Sequence, residues 1–397
     1  MVDQGLSTLT NFALTIVIAR SVDSASFGAF AVGYVAYYTV IAGVRGLVSL
    51  PLSIRVSRQA EQTGETSAGA GAAALVGVVA GLVLAVSGMA LRSQTGDVLL
   101  VFGLLMPGLC LQDTWRYVFF TTARPTLAVR NDLVWVVAQT VFIALVIVFV
   151  DDAAVVWFAV AWGGAALVAA CYGVAQAQMP AWRQAVAFLR RHWDLGARLS
   201  AESVLSSGSA MITTLVIGGI VGPAGVGSIR GASTLFGPLT TLQMGIISAA
   251  IPEGSRAIKS RPAAVPAALQ AISAGGAALT IVWGAALWVL PEAWGRQVLG
   301  DTWHGAHAVL VPVLALMVGR AVMTGGNVGL KVLEAAQASL SLLIVAVLVS
   351  TLGALIGVWI GGLGGAAWGI AAGGWVHAVG SWSTFARLYR QGAEERH

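Results

Sequence analysis

Long apolar runs fill almost the whole chain and constrain its fold more than any other feature. An α-helix of about 20 apolar residues is long enough to cross the hydrocarbon core of a bilayer. A soluble protein carries about 25% charged residues, whereas only 10% of these 397 residues are charged. The bilayer is therefore expected to be the solvent for most of the chain, and the fold class is predicted to be an all-α integral membrane protein. Hydropathy predicts twelve membrane-spanning helices: 3–21, 27–50, 68–91, 97–121, 132–150, 153–177, 197–220, 224–251, 267–290, 304–325, 335–358 and 362–386.

Several other classes of protein fit the sequence poorly. The net charge of +5 comes from residues scattered through short loops, with no basic stripe that would follow a nucleic-acid backbone. Cys110 and Cys171 both lie in apolar segments and are expected to be packing residues. His304 and His307 have i, i+3 spacing, which permits a metal pair but is more common for ordinary loop histidines. No cofactor is predicted.

Basic residues predict the orientation of the helices. Fifteen of the 22 Lys and Arg residues fall in segments that would share one side with both termini, and three fall on the other side. Because short cytoplasmic loops are enriched in Lys and Arg, both termini are predicted to be cytoplasmic. The remaining four basic residues, Arg45, Arg116, Arg230 and Arg320, lie inside predicted spans.

The chain is predicted to consist of two similar halves. Residues 1–177 and 197–397 would each form a six-helix lobe, joined by a basic, aromatic interfacial helix over 178–196. The segment 17–30 aligns without gaps with 216–229, and Pro51 and Pro252 are expected to close the second helix of each half. Two parallel halves predict a pseudo-two-fold axis along the membrane normal and a cavity between the lobes, as in an alternating-access transporter.

Charged side chains within the predicted spans are candidates for function, because each costs roughly 2.5–3.5 kcal/mol near the bilayer centre unless it is paired or hydrated. Asp113 and Arg116 are three residues apart and are predicted to pair on one helix face. A purely structural salt bridge is an equally open interpretation of that pair. Arg45, Glu202 and Arg320 have no such local partner, although Arg45 is also placed to extend towards the membrane surface.

The depth of these residues suggests a substrate class. Arg45, Arg116 and Arg320 are predicted to lie in the cytoplasmic third of their helices, with Glu202 at a similar level as a gating residue. Guanidinium groups bind phosphate oxygens in bidentate fashion, so this arrangement predicts an anionic headgroup taken up from the inner leaflet. The further candidate residues are Arg230, predicted in the outer third of its helix, and Gln4 and Asn11, which would line the cavity or bond a neighbouring helix.

Several segments resemble one family. LQDTWRYVFFTTARPTLAVRNDLVW at 111–135 and DQGLSTLTNFALTIVIAR at 3–20 resemble segments of polysaccharide-export members of the multidrug/oligosaccharidyl-lipid/polysaccharide (MOP) superfamily. AESVLSSGSA at 201–210 and GPAGVGSIRGASTLFGPLTTL at 222–242 resemble the start of their second lobe.

The resemblance covers nearly the whole chain and implies a flippase of the O-antigen or teichoic-acid exporter type. Such a protein moves polyprenyl-diphosphate-linked glycans across the bacterial plasma membrane. The implied partners are that lipid-linked glycan, membrane lipids and enzymes that build or polymerise the glycan, with the transporter itself a monomer. By the same resemblance, Arg116, Glu202 and Arg230 occupy motif positions, and Arg45 stands where a basic residue is common.

The chain departs from the family in starting almost inside its first helix, so a leader would be missing or the start assigned late. It also has twelve spans where lipid II flippases have fourteen.

Two other functions stay open. A cation-coupled multidrug exporter of the same superfamily would need a protonatable carboxylate deep in the first lobe. Asp113 is the only candidate there, and Arg116 is placed to neutralise it. A membrane glycosyltransferase or polymerase would need catalytic residues on long outer loops, and the predicted outer loops are short.

Overall fold

The computed structural model is 93% helical, and no residue that it describes lies in a β-strand. It describes residues 18, 21–22, 24–58, 63–150, 154–299 and 303–394, without the side chains of 24–25, 63, 209–227, 230 and 392–393. The predicted all-α fold class is confirmed. The predicted first span, 3–21, lies outside the described residues except for residues 18 and 21, and Gln4 and Asn11 are not described.

The chain divides into two compact units, Met1–Val204 and Leu205–His397. The predicted division into 1–177, 178–196 and 197–397 stays a prediction. The first unit contains α1 (Ser24–Val44), a π-helical turn (Arg45–Ser49), α2 (Leu50–Ile54), α3 (Thr63–Leu91), α4 (Gln94–Thr121), α5 (Pro125–Phe149), α6 (Val155–Gln176) and the start of α7 (Ala185–Leu235). The second unit contains the rest of α7, then α8 (Gly237–Ser260), α9 (Val265–Trp288), α10 (Glu292–Leu299), α11 (Trp303–Ala308), α12 (Leu310–Val332) and α13 (Ala336–Glu394).

Eight helical segments within the described part of the chain are long and apolar enough to cross a membrane. One of them, α13, consists of two helices that meet at a kink, where Gly361 and Gly362 leave helical geometry. The kink separates the predicted spans 335–358 and 362–386. Helices α7 and α8 cover the predicted spans 197–220 and 224–251 but are not among the eight segments. The break between them falls at Phe236, whereas the sequence analysis placed it at 221–223.

Prolines set several helix boundaries differently from the sequence analysis. Pro51 and Pro252 do not close their helices, since Pro51 lies within α2 and Pro252 within α8. Before Pro51 the chain forms the π-helical turn, in which the Leu50 N–H bonds to the Arg45 carbonyl. A proline lacks the N–H that would continue the α-helical ladder, and a widened turn is one way to accommodate it.

Two helices begin at positions that change the interpretation of their charged residues. Helix α5 begins at Pro125, because proline favours the first helical position, so Asp132 lies inside a helix that was predicted to start there. Helix α12 begins at Leu310 with Pro312 in its first turn. Arg320, predicted in the cytoplasmic third of 304–325, is therefore one residue from the middle of a 23-residue helix.

The two halves of α13 pack closely through glycines. A Cβ added to Gly357 would lie 2.1 Å from the Gly365 carbonyl oxygen, and one added to Gly369 would lie 2.0 Å from the Gly353 carbonyl carbon. Small residues allow helix backbones to approach in lipid, so these glycines are required for the close approach.

The first part of α7, up to Val204, belongs to the first unit and packs against its other helices. Its buried residues recur at helical spacing, at Ala185, Phe188, His192 and Leu195, as the amphipathic pattern predicted. The helix then continues through Gly196 without the predicted break.

Candidate functional site

Four buried or half-buried charges form a network in the first unit. Arg45 begins the π-helical turn after α1, Asp113 and Arg116 lie near the end of α4, and Asp132 lies in the second turn of α5. Side-chain exposure is 3% for Asp113, 6% for Arg116 and 1% for Asp132, but 33% for Arg45. The formal charges cancel, so the network as a whole is neutral.

Arg45 holds Asp113 in a bidentate pair. The Arg45 Nε donates to Asp113 Oδ2 at 2.9 Å, and Nη2 donates to Oδ1 at 2.6 Å. Two parallel charge-assisted bonds of this kind are among the strongest polar contacts in proteins. The sequence analysis found no local partner for Arg45 because its partner is 68 residues away.

Arg116 bonds chiefly to Asp132. Its Nη2 and Nε donate to Asp132 Oδ2 at 2.9 and 3.2 Å, whereas its Nη1 lies 3.5 Å from Asp113 Oδ1. The predicted Asp113–Arg116 pair is therefore present, but it is the weaker contact of each residue. The reason is that α4 and α5 pack side by side, so Asp132 reaches Arg116 with better geometry than an i, i+3 neighbour.

Buried amides extend this network across three helices. Gln112 on α4 donates to Asp132 Oδ1 at 3.0 Å. Asn131 on α5 donates to the carbonyl of Ala169 at 2.8 Å and to Gln176 at 3.2 Å, both on α6. Because buried polar groups require partners, these bonds fix α4, α5 and α6 relative to one another.

An aromatic cluster lies beside the charges. Tyr37 is an electrostatic neighbour of Asp113 and Arg45. Its ring packs edge-on against Trp162, with 4.8 Å between the ring centroids. The Trp162 ring centroid lies 5.5 Å from that of Phe102 and 5.9 Å from that of Trp135. Trp162 is fully buried. These rings fill the space beside the charged side chains at the packing density of a protein interior.

The backbone next to Arg45 packs directly against α7. A Cβ on Gly46 would lie 2.3 Å from the Ser200 Cα, so only glycine fits there. The Ser200 hydroxyl donates to the Gly43 carbonyl at 3.0 Å. The start of the π-helical turn is therefore held by α7, which fixes where Arg45 leaves the helix.

Ion pairs outside the predicted spans attach α7 to the ends of neighbouring helices. Arg55 donates to both carboxylate oxygens of Asp194, at 2.9 and 2.6 Å. These hydrogen bonds lower the pKa of Asp194 to about 2. Glu65, in the first turn of α3, pairs with Arg191 and lies 3.4 Å from His192.

Arg320 is the charged candidate of the second unit whose side chain the structure describes. Its side chain has no ion pair or hydrogen bond to any residue in the described part of the chain. It is exposed, and the only other exposed residue in α12 is Val311, in the first turn. In the first unit, by contrast, Arg116 on α4 is buried and paired.

The remaining candidates are less informative. Glu202 is buried on α7, and its predicted gating role stays a prediction. Arg230 lies on α7, but its side chain is outside the described residues. His304 contacts Arg296 and Glu292, and His307 contacts the Trp288 carbonyl. No group of three metal-ligating side chains occurs in the residues that were described.

Asp132 is the residue that the sequence analysis missed. It was assigned to the start of a span beside a basic loop, where a carboxylate is ordinarily hydrated. Pro125 is the sequence signal that indicates an earlier helix start. Because the helix begins there, Asp132 lies two turns inside it and is buried.

The fold matches transporters of known structure. A multidrug resistance MATE family transporter of the MOP superfamily, in an outward-facing conformation, has a TM-score of 0.78 and 14% identity, over 98% of this chain and 93% of that one. A MATE transporter in complex with MaL6 has a TM-score of 0.82 and 14% identity, over 100% and 95%. A MOP superfamily transporter from Pyrococcus furiosus has a TM-score of 0.73 and 14% identity, over 98% and 93%. No protein-family profile matches the chain, and no curated protein matches its sequence.

These likenesses show that the chain has the fold of MOP superfamily transporters. At 14% identity they carry no information on the substrate, and the predicted O-antigen or teichoic-acid exporter type is not supported by them.

Proposed function

We propose that the protein exports an amphipathic anion by alternating access, and that this anion is a polyprenyl-diphosphate-linked oligosaccharide or polysaccharide precursor. The transporter would move it from the inner to the outer leaflet of a bacterial plasma membrane. The observation that carries the proposal is the distribution of charge: the acids of the buried network are held by arginines, whereas Arg320 has no counter-ion among the described residues.

An unpaired guanidinium in mid-membrane requires compensation. It costs roughly 2.5–3.5 kcal/mol at the centre of a helix unless it faces water or a ligand of opposite charge. Arg320 lies near the middle of α12 and is exposed there. A diphosphate offers several oxygen acceptors that match the planar fork of a guanidinium. A lipid-linked diphosphate would therefore be stabilised by Arg320, which has no counter-ion among the residues that the structure describes.

The buried network supports an anion rather than a coupling cation. A proton- or sodium-coupled exporter needs a carboxylate that exchanges its cation during the cycle. Asp113 accepts two bonds from Arg45, and Asp132 accepts two from Arg116. Permanently charged arginines satisfy these acids already, which leaves neither of them as a cation site in this arrangement.

A cation-coupled multidrug exporter is the second candidate. It is favoured by the solved structures of similar fold, several of which are MATE transporters. One neighbour, from Pyrococcus furiosus, is described as having a binding pocket of reverse polarity that suggests a different function. Neighbours of this fold therefore differ in the polarity of their pockets, and the charges of this chain are the better guide to its substrate.

The test is translocation of a fluorescent polyprenyl-diphosphate oligosaccharide in proteoliposomes, measured by the appearance of the headgroup in the opposite leaflet. Arg320→Lys keeps the charge but loses the bidentate fork, so it should retain part of the activity, and Arg320→Gln should retain almost none. Arg296→Gln is the matched control, because Arg296 is exposed and paired with Glu292 at 2.7 Å. Normal translocation by Arg320→Gln at equal protein density would contradict the proposal.

A further inference from the structure

The shared carboxylate of Asp113 is the starting point for an inference about how the network responds to substrate. Its Oδ1 lies 2.6 Å from Arg45 Nη2 and 3.5 Å from Arg116 Nη1. Arg45 is therefore bonded to this oxygen, and Arg116 lies at a slightly longer distance from it. If Arg45 moved away, Asp113 would still have Arg116 beside it as a counter-ion.

Only one arginine of the network is accessible. The Arg45 side chain is 33% exposed, whereas that of Arg116 is 6% exposed and is enclosed by α4 and α5. An anion that contacts the exposed part of the Arg45 side chain would not have to displace Arg116 or Asp132. Arg45 also begins the π-helical turn, and π-turns are frequent at functional sites.

Arg116 has enough donors to serve both acids. A guanidinium carries five N–H groups. Nε and Nη2 of Arg116 bond to Asp132, while Nη1 points to Asp113. A shift of less than 1 Å by Nη1 would bring it within hydrogen-bonding distance of Asp113 without releasing Asp132. Asp132 thus acts as the anchor that keeps Arg116 in position.

We propose that Arg45 releases Asp113 to bind the diphosphate of the substrate and that Arg116 takes over Asp113 as it leaves. This counter-ion handover rests on the proposed function for the identity of the anion. Asp113 never becomes an unpaired buried charge, which would be strongly unfavourable. Arg45 is then the substrate-contacting residue of the first unit, and Arg116 and Asp132 are positioning residues that do not touch the substrate. This proposal differs from the sequence-based prediction that Arg116 itself binds the substrate.

The experiment measures binding rather than transport, with inorganic pyrophosphate as the probe and the full-length protein in nanodiscs. Arg45→Gln should weaken pyrophosphate binding by on the order of tenfold or more, about 1.4 kcal/mol or more. Asp113→Asn should tighten it, because Arg45 then has no acid to release. Arg116→Lys should weaken it, because one ammonium keeps the charge beside Asp132 but cannot bridge both carboxylates.

The decisive arm is the double variant. If Arg116 acts by taking over Asp113, then Asp113→Asn combined with Arg116→Lys should restore pyrophosphate affinity to at least the wild-type value. A purely structural role for Arg116 would leave the double variant as weak as Arg116→Lys alone. Thermal unfolding of each variant shows that the affinities are measured on folded protein, and Arg116→Lys is chosen because it keeps the buried charge.

Failure of the handover and failure of the proposed function are distinguishable. Unchanged affinity in Arg45→Gln, absence of rescue in the double variant, or no pyrophosphate binding by the wild-type protein would each overturn the handover. Translocation of the lipid-linked oligosaccharide, and its loss in Arg320→Gln, would still support the proposed function in all three cases.

Discussion

Breaking the Arg116–Asp132 pair should be among the most destabilising single changes in the first unit. Asp132→Ala removes two hydrogen bonds, at 2.9 and 3.2 Å, from a guanidinium that is 6% exposed. Bonds to charged groups contribute roughly 1.5–3 kcal/mol each, and removing one partner of a buried pair costs about 3–5 kcal/mol. The contact of Arg116 with Asp113 is longer, at 3.5 Å, and does not replace these two bonds, so we expect a loss of about 3–5 kcal/mol.

A double-mutant cycle tests this reasoning. Equilibrium unfolding in mixed micelles should give Arg116→Met combined with Asp132→Ala a cost well below the sum of the single changes, since apolar replacement of a buried pair is often close to neutral. The coupling of Arg116 with Asp132 should also exceed its coupling with Asp113, whose contact is longer. The exposed pair Arg296–Glu292 is the control, with an expected coupling below about 1 kcal/mol. Additive costs for Arg116 and Asp132, within about 0.5 kcal/mol, would refute the assignment of Asp132.

Three further predictions follow from particular contacts. Because the pKa of Asp194 is lowered to about 2 by Arg55, this pair should stabilise the protein above the unfolded pKa of about 4 and cease to do so as the pH falls towards 2. Asp194→Asn should then lower the free energy of unfolding slightly at pH 7, by less than about 1 kcal/mol for so exposed a group, and an equal loss at pH 2 would argue against the pair. Gly369→Ala should destabilise the protein by about 1–3 kcal/mol through overpacking. The control Gly364→Ala, with nothing within 4 Å of the new Cβ, should have little effect on the thermal midpoint. Equal midpoints for the two variants would contradict the close packing in α13. Reporter fusions at the carboxyl terminus should show a cytoplasmic location, and a periplasmic one would remove the even-span topology.

The helical architecture could be predicted because hydropathy over about 20 residues is a strong local signal. The predicted spans 68–91, 97–121 and 153–177 correspond closely to α3, α4 and α6. The helix boundaries that were predicted wrongly lie near prolines. The sequence alone does not distinguish a proline that lies within a helix from one that ends it. Pro51 was assigned to a helix end, although the chain continues through it after a π-helical turn.

The candidate site could be predicted only in part, for a different reason. Asp113 and Arg116 stand out locally as charges in an apolar segment. Their main partners, Arg45 and Asp132, are 68 and 16 residues from them in sequence, and hydrophobic periodicity does not encode which helices meet. The sequence also indicated a cationic group, whereas packing turns two of its arginines into members of a neutral network and leaves Arg320 unpaired within the described chain.

We propose that this protein, which has the fold of MOP superfamily transporters, exports an anion without using a first-unit carboxylate as a cation site. The most direct test of this proposal compares two substrates in the same proteoliposomes, a labelled polyprenyl-diphosphate oligosaccharide and a lipophilic cation, with and without proton and sodium gradients. The account predicts translocation of the oligosaccharide and no gradient-driven export of the cation. Cation export that requires a gradient and is abolished by Asp113→Asn, with no translocation of the oligosaccharide, would contradict it.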